Sequence, residues 1–356
     1  MSEPLLSVRD LTKHFIGHRS LFGAARAHVK AVDGVSFEVK AGETFAIVGE
    51  SGCGKSTVGR LVLRLIEPTS GSVNFAGEDI ASIAPAALRA FRAKAQLIFQ
   101  DPYASLNPRM TVGDTLAEPL MLHTDLSPAD RRGRVGELLQ TVGLKAEHSQ
   151  RFPHEFSGGQ RQRIAIARAL APGPRLIVCD EPVSALDVSI RAQVLNLLQD
   201  LQQKFGLAYI FISHDLSVVR HIADRIAVMY LGRIVETATA IQLFAEPRHP
   251  YARALLSAIP VAQPAAVRHR QLLPGDPPSP IDPPAGCHLS PRCPHVRDVC
   301  RTIVPELDKV SDGHATRCHL WREIAASGTV RADAENVSPE LMRLFARFEA
   351  PVTTND

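Results

Sequence analysis

Residues 49–57, GESGCGKST, match the pattern G-x-x-x-x-G-K-[ST] of a phosphate-binding loop between a strand and a helix. The flanking sequence fits that context, because Phe45–Gly49 (FAIVG) is typical of a short buried strand and Lys55–Ile66 (KSTVGRLVLRLI) of a helix with one apolar face. Glycine-rich turns before ordinary helices also match this pattern, so the rest of the chain must decide. The loop favours an α/β fold with a nucleotide site at a strand end.

The residue types of the loop fit the binding of phosphate groups. Glycine at positions 49, 52 and 54 lets the backbone turn its N–H groups toward an anion without a Cβ in the way. We expect Lys55 to reach the β- and γ-phosphates and Ser56 to bind Mg²⁺, while the positive end of the following helix adds to the same anion site. The nucleotide-binding residues expected in the loop are Gly49, Glu50, Ser51, Gly52, Cys53, Gly54, Lys55, Ser56 and Thr57.

A second apolar run, Arg175–Pro182 (RLIVCDEP), ends in two adjacent acids. Successive strand residues point to opposite sides, so the carboxylates of Asp180 and Glu181 are expected to have different roles. We expect Asp180 to hold Mg²⁺ and Glu181 to polarise the water that attacks the γ-phosphate. The alternative, a solvated pair of acids at a strand end, is disfavoured by the phosphate-binding loop upstream.

Between these motifs, Phe156–Leu170 (FSGGQRQRIAIARAL) places a Ser-Gly-Gly turn before a helix with apolar residues at helical spacing. The N-terminus of that helix offers backbone amides and is a second candidate anion site. Two phosphate-binding helix ends in one chain are explained if they serve one nucleotide from two subunits.

Together with the phosphate-binding loop, this turn resembles the signature of the ATP-binding cassette (ABC) family, formed here by Ser157, Gly158, Gly159 and Gln160. In that family the signature of one subunit closes on the γ-phosphate held by the loop of another. The resemblance implies ATP as the nucleotide and Mg²⁺ as its metal. It also implies a P-loop α/β fold with a RecA-like core, an antiparallel β part and a helical subdomain.

Further parts of the cassette are located by the same resemblance. Gln100, in LIFQDPYASLNP, matches the glutamine that senses Mg²⁺ and the attacking water, and His214, in FISHDL, matches the histidine that contacts the γ-phosphate. Ser184–Asp187 (SALD) matches the loop that crosses the dimer seam. Phe15 stands where the family has a ring that stacks on adenine, usually tyrosine, and phenylalanine keeps the stacking without the hydroxyl. The implied catalytic residues are Glu181, His214 and Gln100, and the implied Mg²⁺ ligands are Ser56, Gln100 and Asp180.

The composition excludes some classes of protein. The 356 residues are 45% hydrophobic, enough for a sizeable core, and 40 Lys and Arg against 37 Asp and Glu leave a net charge of +3. A broad basic face for nucleic acid is therefore not expected. No apolar run approaches the roughly 20 residues of a membrane-spanning helix, and the N-terminus MSEPLLSVRD lacks the order of a signal peptide. We expect a cytoplasmic protein that meets a membrane only through partners.

Shifts in composition along the sequence divide the chain into two expected parts. Residues 101–170 are mainly helical, with Asp130–Leu144 as a clear amphipathic stretch, and strand runs such as Arg225–Glu236 (RIAVMYLGRIVE) complete an α/β core. We expect this nucleotide-binding domain to span residues 1–245. A small appended module over residues 246–356 is expected to contain a Pro-dense connection that cannot be regular helix or sheet, and to end in a variable tail.

Four of the six cysteines lie in the expected module: Cys287, Cys293, Cys300 and Cys318. Disulfides are disfavoured in a reducing cytoplasm, so the spacing C-x5-C-x6-C-x17-C indicates metal ligands, although it lacks the close pairs common in zinc sites. All-thiolate ligation suits an iron–sulfur cluster as well as zinc, and four unconnected free thiols are the alternative. The neighbouring His288, His295 and His319 are expected to be bystanders, with replacement of a cysteine ligand by one of them as the alternative.

The other two cysteines lie inside the motifs. Cys53 belongs to the phosphate-binding loop, where backbone amides and Lys55 are expected to lower the pKa of its thiol and make it reactive toward maleimide when ATP is absent. Cys179 precedes Asp180 and is expected to be a small buried hydrophobe.

The module narrows the resemblance to the ATPase subunits of dipeptide and oligopeptide importers. RHPYARALLSA, the Pro-rich LPGDPPSPIDPP and the four-cysteine segment carry this likeness, and EPVSALDVSIRAQVLNLL is most similar to the second of the two ATPases, the DppF/OppF type. The resemblance runs from about residue 5 to residue 320. It implies a [4Fe–4S] cluster on the four cysteines, with Zn²⁺ as the alternative, and a contact of Gln100–Pro108 with a permease loop.

The implied function is ATP-driven import of dipeptides and oligopeptides. ATP joins two nucleotide-binding domains and its hydrolysis separates them, which moves two permeases between inward- and outward-facing states. The implied partners are a second, homologous ATPase subunit in a heterodimer, two transmembrane permeases and an extracytoplasmic solute-binding protein, with the chain on the cytoplasmic face of the inner membrane. The open alternatives are a nickel, glutathione or other small-solute importer, a non-transport ABC ATPase and a redox-sensing regulator.

Overall fold

The computed structural model describes residues 3–16, 28–259 and 272–324, which form two β-sheets covered by helices. The strands are, in chain order, β1 (Leu6–Ile16), β2 (His28–Val39), β3 (Thr44–Val48), β4 (Ser70–Phe75), β5 (Glu78–Asp79), β6 (Ala95–Ile98), β7 (Leu176–Asp180), β8 (Ala208–Ser213), β9 (Arg225–Tyr230), β10 (Arg233–Thr239), β11 (Asp308–Ser311) and β12 (His314–Thr316). The helices are α1 (Lys55–Val62), α2 (Pro85–Lys94), α3 (Pro102–Ser105), α4 (Val112–His123), α5 (Pro128–Thr141), α6 (Gly158–Leu170), α7 (Val188–Phe205), α8 (Leu216–Ile222), α9 (Ala240–Ala245), α10 (Pro250–Ser257) and α11 (Asp298–Thr302).

The larger sheet has the strand order β11-β12-β10-β9-β3-β8-β7-β6, and the strands from β9 to β6 in this order are parallel. Every residue of β3, β7 and β8 is buried, as expected for parallel strands covered on both faces. Val48 of β3 lies level with Ser213 of β8, and Asp180 of β7 lies level with Ile212. The carboxyl ends of β3 and β7 therefore meet at one edge, where α/β sheets bind ligands.

The smaller sheet is antiparallel, with the strand order β2-β1-β4-β5. Its apolar side chains, among them Leu6, Val8 and Val73, share one core with α1 and with one face of the larger sheet. A second core lies on the other face, where α4 to α7 contribute their apolar sides. The larger sheet is thus a middle layer, and the loop after β3 emerges between the two cores.

Two predicted boundaries differ from the structure. The helix predicted over Lys55–Ile66 ends early, because Arg64 has a φ of 47°, in the left-handed region that an α-helix excludes. The strand run Arg225–Glu236 is two antiparallel strands, β9 and β10. They are joined at Leu231 and Gly232, whose φ angles of 42° and 80° suit a tight hairpin turn.

Residues 101–170 are mostly helical, and α5 covers nearly all of the predicted amphipathic stretch. Ser127 begins α5, because its side chain accepts a hydrogen bond from the backbone N–H of Asp130. Val135, Leu138 and Leu139 form the buried face of this helix. The spacing of these apolar residues follows the helical period, which explains why the sequence pattern predicted an amphipathic helix.

The segment after residue 245 continues the larger sheet through β12, which pairs with β10. Glu236 of β10 is fully buried, and its carboxylate accepts hydrogen bonds of 2.7 Å from the backbone N–H groups of Arg248 and His249. Nε2 of His314, in β12, lies 2.7 Å from the same carboxylate. These contacts tie the start of α10 and the β11–β12 hairpin to the sheet.

The rest of the C-terminal segment is mainly irregular. The Pro-dense residues 273–284 contain no helix or strand, as predicted. The predicted tail lies, from residue 325 on, outside the described residues. Across the part of the chain that is described, every helix is too short or too polar to cross a membrane.

Candidate nucleotide-binding site

The phosphate-binding loop runs from β3 into α1 and is shaped by close backbone contacts. Gly49 has a φ of 154°, and a Cβ at this position would lie 2.1 Å from the carbonyl oxygen of Met229. Gly54, with a φ of 106°, is as tightly enclosed, since its Cβ would meet a carbonyl oxygen at 2.0 Å. The buried Lys55 donates through Nζ to the carbonyl oxygens of Gly49 and Glu50, each at 2.8 Å. The loop thus needs glycine at both enclosed positions.

Replacing Gly49 by alanine is expected to destabilise the fold strongly, because the new Cβ has no room against the backbone of Met229. Gly52→Ala is the matched control, since Gly52 also has a positive φ, 79°, but has nothing within 4 Å of its Cβ position. We expect the free energy of unfolding to fall by about 3 kcal/mol or more for Gly49→Ala and by about 1 kcal/mol for Gly52→Ala. Equal losses in chemical denaturation would contradict the close contact.

The expected lowering of the pKa of the Cys53 thiol is wrong. Its thiol is buried in the loop, with Sγ 3.8 Å from Nζ of Lys55. Burial raises the pKa of this thiol by more than the attraction of Lys55 lowers it. The thiolate that alkylation requires is therefore scarce at neutral pH. Cys179 is buried in β7, as predicted.

We expect Cys53 in the folded chain to react with N-ethylmaleimide at least about tenfold more slowly than free glutathione at pH 7.5, with or without ATP. The time course of modification, followed by mass spectrometry of proteolytic peptides, measures this rate. The urea-unfolded chain serves as the control, because there Cys53 should react at the rate of an exposed thiol. Rapid labelling that ATP prevents would instead restore the original expectation.

A cavity of about 480 Å³ lies beside the loop and gathers nine of the predicted site residues. Its lining residues are Ala31, Ser51, Gly52, Gly54, Lys55, Ser56, Thr57, Gln100, Glu181 and His214. Ala31 was not predicted, because no motif marks it and only the approach of β2 to the loop places it there. Within the predicted phosphate-binding loop and acid pair, four residues lie outside this lining: Gly49, Glu50, Cys53 and Asp180.

Asp180 and Ser56 are brought together at the end of β7. The hydroxyl of Ser56, in the first turn of α1, donates a 2.7 Å hydrogen bond to the Asp180 carboxylate. Burial raises the pKa of the Asp180 carboxyl group, and the hydrogen bond from Ser56 opposes that rise. A hydroxyl and a carboxylate side by side are oxygen donors of the kind Mg²⁺ prefers, so these residues fit a magnesium ion.

Glu181 is the centre of a polar cluster in the cavity. Its Oε2 accepts a 2.8 Å hydrogen bond from Nε2 of Gln100, and its Oε1 lies 3.1 Å from Nδ1 of His214. β7 ends at Asp180, and Glu181 has a φ of 48°. The two acids therefore diverge because the backbone turns after the strand, and the predicted cause, alternation within a strand, is wrong. All three predicted catalytic residues meet at one carboxylate.

Phe15 lies near the end of β1, opposite Val29 of β2, and its side chain is 40% exposed. Nζ of Lys13 lies 5.2 Å from the centre of its ring. Ala31, two residues beyond Val29, lines the cavity, so Phe15 belongs to the strand pair that borders the site. A partly exposed aromatic ring suits stacking on a base, and the adenine contact stays a prediction.

The signature residues lie apart from this cavity. Ser157 begins α6 and accepts a hydrogen bond from the backbone N–H of Gln160, whose own Oε1 accepts from the N–H of Ser157 at 3.0 Å. Gly159 is buried against Ile190, where a Cβ would approach the side chain to 2.4 Å. Among the described residues that line the cavity, none belongs to the Ser157–Gln160 signature. The two predicted anion-binding helix ends of one chain do not share a site.

The four cysteines of the C-terminal segment converge on one small cavity, whose cysteine lining is Cys287, Cys293, Cys300 and Cys318. Backbone N–H groups donate to three of the sulfurs, for example that of Leu289 to Cys287 and that of Leu320 to Cys318. Burial raises the pKa of Cys287 to about 11 and that of Cys318 to about 12. These thiols are therefore protonated at neutral pH unless a bound cation displaces the protons.

The arrangement of these side chains does not support the expected metal. The cavity between the cysteines measures about 10 Å³, about the space of one water molecule. Within residues 3–16, 28–259 and 272–324, no group of three or more His, Cys, Asp or Glu side chains is arranged to hold a metal ion. His288 contacts the carbonyl oxygen of Leu231 and His319 that of Ile303, while His319 also lines the cavity, so their role as bystanders stays a prediction.

Comparisons with known proteins add to this geometry. The family model of the ABC transporter matches residues 32–184, and that of the oligopeptide/dipeptide transporter C-terminal region matches residues 235–300. The chain is 54% identical over 327 residues to the probable peptide ABC transporter ATP-binding protein y4tS of Sinorhizobium fredii, covering 92% of this chain and 93% of that protein. It is 52% identical over 317 residues to the di/tripeptide transport ATP-binding protein DppF of Pseudomonas aeruginosa, covering 89% and 98%.

A solved structure shows the same likeness at lower identity. The ATP-binding cassette MJ0796, in a dimeric post-hydrolysis state bound to ADP and Pi, matches with a TM-score of 0.59 and 28% identity over 66% of this chain and 98% of that one. Phosphate-binding loops beside an acid pair serve several kinds of ATPase, and these matches select one: the chain is an ATP-binding cassette of the ABC transporter type. Its relatives along most of its length are more specific still. The chain belongs to the family of peptide-transport ATP-binding proteins.

Proposed function

We propose that this chain hydrolyses ATP to power the import of dipeptides and oligopeptides across the cytoplasmic membrane. The observation that carries the proposal is the convergence of Gln100 and His214 on Glu181, in a cavity bordered by the phosphate-binding loop. Peptides are favoured over nickel or glutathione as cargo by the relatives, which include the dipeptide transport ATP-binding protein DppF of Escherichia coli at 53% identity over 86% of this chain and 92% of that one.

The side chains of the cavity divide the chemistry among them. Lys55 exchanges the carbonyl oxygens that it now contacts for the β- and γ-phosphates of ATP. Glu181 holds the attacking water and accepts its proton, while Gln100 and His214 orient its carboxylate. Mg²⁺ held by Ser56, Asp180 and Gln100 would neutralise phosphate charge.

Adenine and the back of the loop complete the binding site. We place adenine against the exposed ring of Phe15, at the open end of the β1–β2 pair. Three loop residues lie outside the cavity lining and contribute by shaping the loop: Gly49, Glu50 and Cys53. Their backbone amides still belong to the loop, so they contribute to phosphate binding through its shape.

A second subunit completes the site, because the Ser157–Gln160 signature does not line the cavity of its own chain. The dimeric form of the similar cassette MJ0796 supports such a pairing. We propose that the partner is a second, homologous ATPase. We also propose that Ser184–Asp187 lies in the dimer interface, since this stretch follows Glu181 in the sequence and leads into α7. The nucleotide-binding domain would span residues 1–245, followed by the module of residues 246–356.

Residues Gln100–Pro108 form the proposed contact with a permease loop, which would hold the chain at the cytoplasmic face of the membrane. Tyr103 in this stretch is 61% exposed, and the guanidinium of Arg161 stacks 4.5 Å from its ring centre. An exposed aromatic side chain that packs against a neighbouring guanidinium is typical of a protein–protein contact surface. An extracytoplasmic binding protein would deliver the peptide to the permeases.

Uptake by cells that lack this chain tests the cargo. Such cells would be complemented with the wild type or with Glu181→Gln and given labelled dipeptides, longer peptides or Ni²⁺. We expect the wild type alone to restore peptide uptake and Ni²⁺ uptake to be equal in all strains. Restoration of Ni²⁺ uptake without peptide uptake would replace peptide by nickel as the cargo.

We further propose that the four cysteines bind a metal, as a [4Fe–4S] cluster or, as the alternative, as Zn²⁺. Support comes from their convergence on one cavity and from the N–H groups that donate to three of the sulfurs, which partly offset the cost of burying thiolates there. Binding would require the cysteine loops to move apart, because the present cavity is too small. Anaerobic purification followed by iron, sulfide and zinc analysis tests this, with Cys293→Ser as the comparison. Absence of all three would withdraw the metal.

A further inference from the structure

Glu50 of the phosphate-binding loop is held at three points. Its carbonyl oxygen accepts from Nζ of Lys55 at 2.8 Å, its backbone N–H donates to the hydroxyl of Tyr251 at 2.7 Å, and its carboxylate lies 3.2 Å from Nη1 of Arg292. Two of these partners, Tyr251 in α10 and Arg292, come from the segment after residue 245. The C-terminal segment therefore contacts the loop directly.

Arg292 is itself fixed in place. Its side chain is only 9% exposed, its Nη1 lies 3.4 Å from the hydroxyl of Tyr230, and its Nε donates to the carbonyl oxygen of Pro274 at 3.3 Å. The rings of Tyr230 and Tyr251 are buried with their centres 4.6 Å apart. A guanidinium held by several acceptors has little freedom, so the carboxylate of Glu50 that it meets is also fixed.

The same arginine belongs to the four-cysteine segment. It directly precedes Cys293, and two tight turns connect it to Cys287. In these turns the N–H of Ser290 donates to the carbonyl oxygen of Cys287 and the N–H of Arg292 donates to that of Leu289, both at 2.9 Å. The backbone N–H of Cys287 donates to the carbonyl oxygen of Cys300 at 2.8 Å. A change in how the cysteines pack would therefore move the backbone that carries the guanidinium.

The charge of Glu50 matters because the loop receives a polyanion. A carboxylate without a partner beside bound phosphates would repel them and would be free to draw the loop out of shape. Pairing with Arg292 removes the negative charge and holds the loop at the same time. The sequence motif cannot show this, since the second position of the loop pattern accepts any residue.

We propose that Arg292 is a positioning residue that couples the four-cysteine segment to the phosphate-binding loop, by neutralising and orienting Glu50. ATP affinity then depends on the arrangement of the cysteines, whichever metal they hold or lack. The proposal rests on the assignment of the loop as the ATP site.

The test compares the Kd of Mg-ATP for the purified full chain with KM and kcat for ATP hydrolysis in the assembled transporter. Arg292→Met is expected to raise Kd and KM about tenfold, the size of one charge-assisted hydrogen bond, and to leave kcat within about twofold. Arg292→Lys should recover part of the affinity. Adding Glu50→Gln to Arg292→Met should recover most of it, because the unpaired carboxylate is then gone.

Two further variants separate coupling from general damage. Arg297→Met removes an exposed ion pair with Glu323 in the same segment and should keep the wild-type Kd. Cys293→Ser should raise Kd in the wild-type background but add little in the Arg292→Met background, since both act through one contact.

The outcomes are distinguishable. A wild-type Kd in Arg292→Met, or a loss that Glu50→Gln fails to relieve, would overturn the proposal. Should Arg292→Met not fold, Arg292→Lys and Cys293→Ser carry the same test, and unchanged Kd values in both would overturn it. A wild-type chain that does not bind ATP would refute the nucleotide assignment instead.

Discussion

Glu181→Gln is expected to slow ATP hydrolysis by about 10²- to 10⁴-fold while ATP binding is retained, the range for loss of a positioned general base. Glutamine keeps the size of the side chain and can still accept the hydrogen bond that Gln100 donates at 2.8 Å. It cannot take a proton from the attacking water. In the proposed cycle, subunit separation follows loss of the γ-phosphate, so the ATP-bound dimer should accumulate and uptake should stop.

Phosphate release by the assembled transporter measures the rate, and gel filtration with ATP measures the dimer. Glu137→Gln is the matched control, since Glu137 is an exposed carboxylate on α5 that pairs only with Arg134 in the described structure. It should hydrolyse ATP at the wild-type rate. Undiminished phosphate release by Glu181→Gln would remove Glu181 as the base and leave His214, the other titratable residue of the cluster, to be tested.

Lys55→Met is expected to weaken ATP binding by about 100-fold or more, because the ammonium supplies two charge-assisted contacts worth about 1.5–3 kcal/mol each. In the structure, Nζ of Lys55 contacts the carbonyl oxygens of Gly49 and Glu50 at 2.8 Å. The side chain is 4% exposed, so methionine fills its volume without disturbing the surface. Hydrolysis and peptide uptake should be lost with the binding.

Equilibrium binding of Mg-ATP to the purified chain measures the effect. Lys204→Met is the control, because Lys204 lies exposed in the last turn of α7. Thermal unfolding of both variants separates lost binding from lost folding. An ATP Kd for Lys55→Met within about threefold of the wild type would refute the phosphate contact, since a single lost charged hydrogen bond already exceeds that change.

Local patterns in the chain predicted the elements around the site well. The loop of residues 49–57 and the strand that ends at Asp180 lie where their apolar periods and turn residues placed them, and the signature forms the start of α6. Each of these depends on contacts within a few residues, which a sequence displays directly. The end of α1 and the turn between β9 and β10 were missed, because Arg64 and Leu231 adopt positive φ angles that their residue types do not announce.

Properties that depend on surroundings were predicted less well. The pKa of Cys53 is raised, because burial outweighs the neighbouring Lys55, and no sequence shows burial of that kind. The four cysteines converge as their clustering indicated, but the close arrangement that a metal ion needs is absent from the described residues. Spacing along a chain limits which thiols can meet and does not set the distances between them.

The sequence by itself determined the class of protein, an ATP-binding cassette, because the loop, the acid pair and the signature are short motifs whose chemistry depends on residue type and immediate spacing. Only the tertiary structure decided which side chains meet: Ser56 with Asp180, Gln100 and His214 with Glu181, and Glu50 with Arg292, which lie 242 positions apart. Such pairs form where the ends of parallel strands and a returning C-terminal segment reach one edge of a sheet. Their distances follow from the packing of the whole chain, which no local pattern contains.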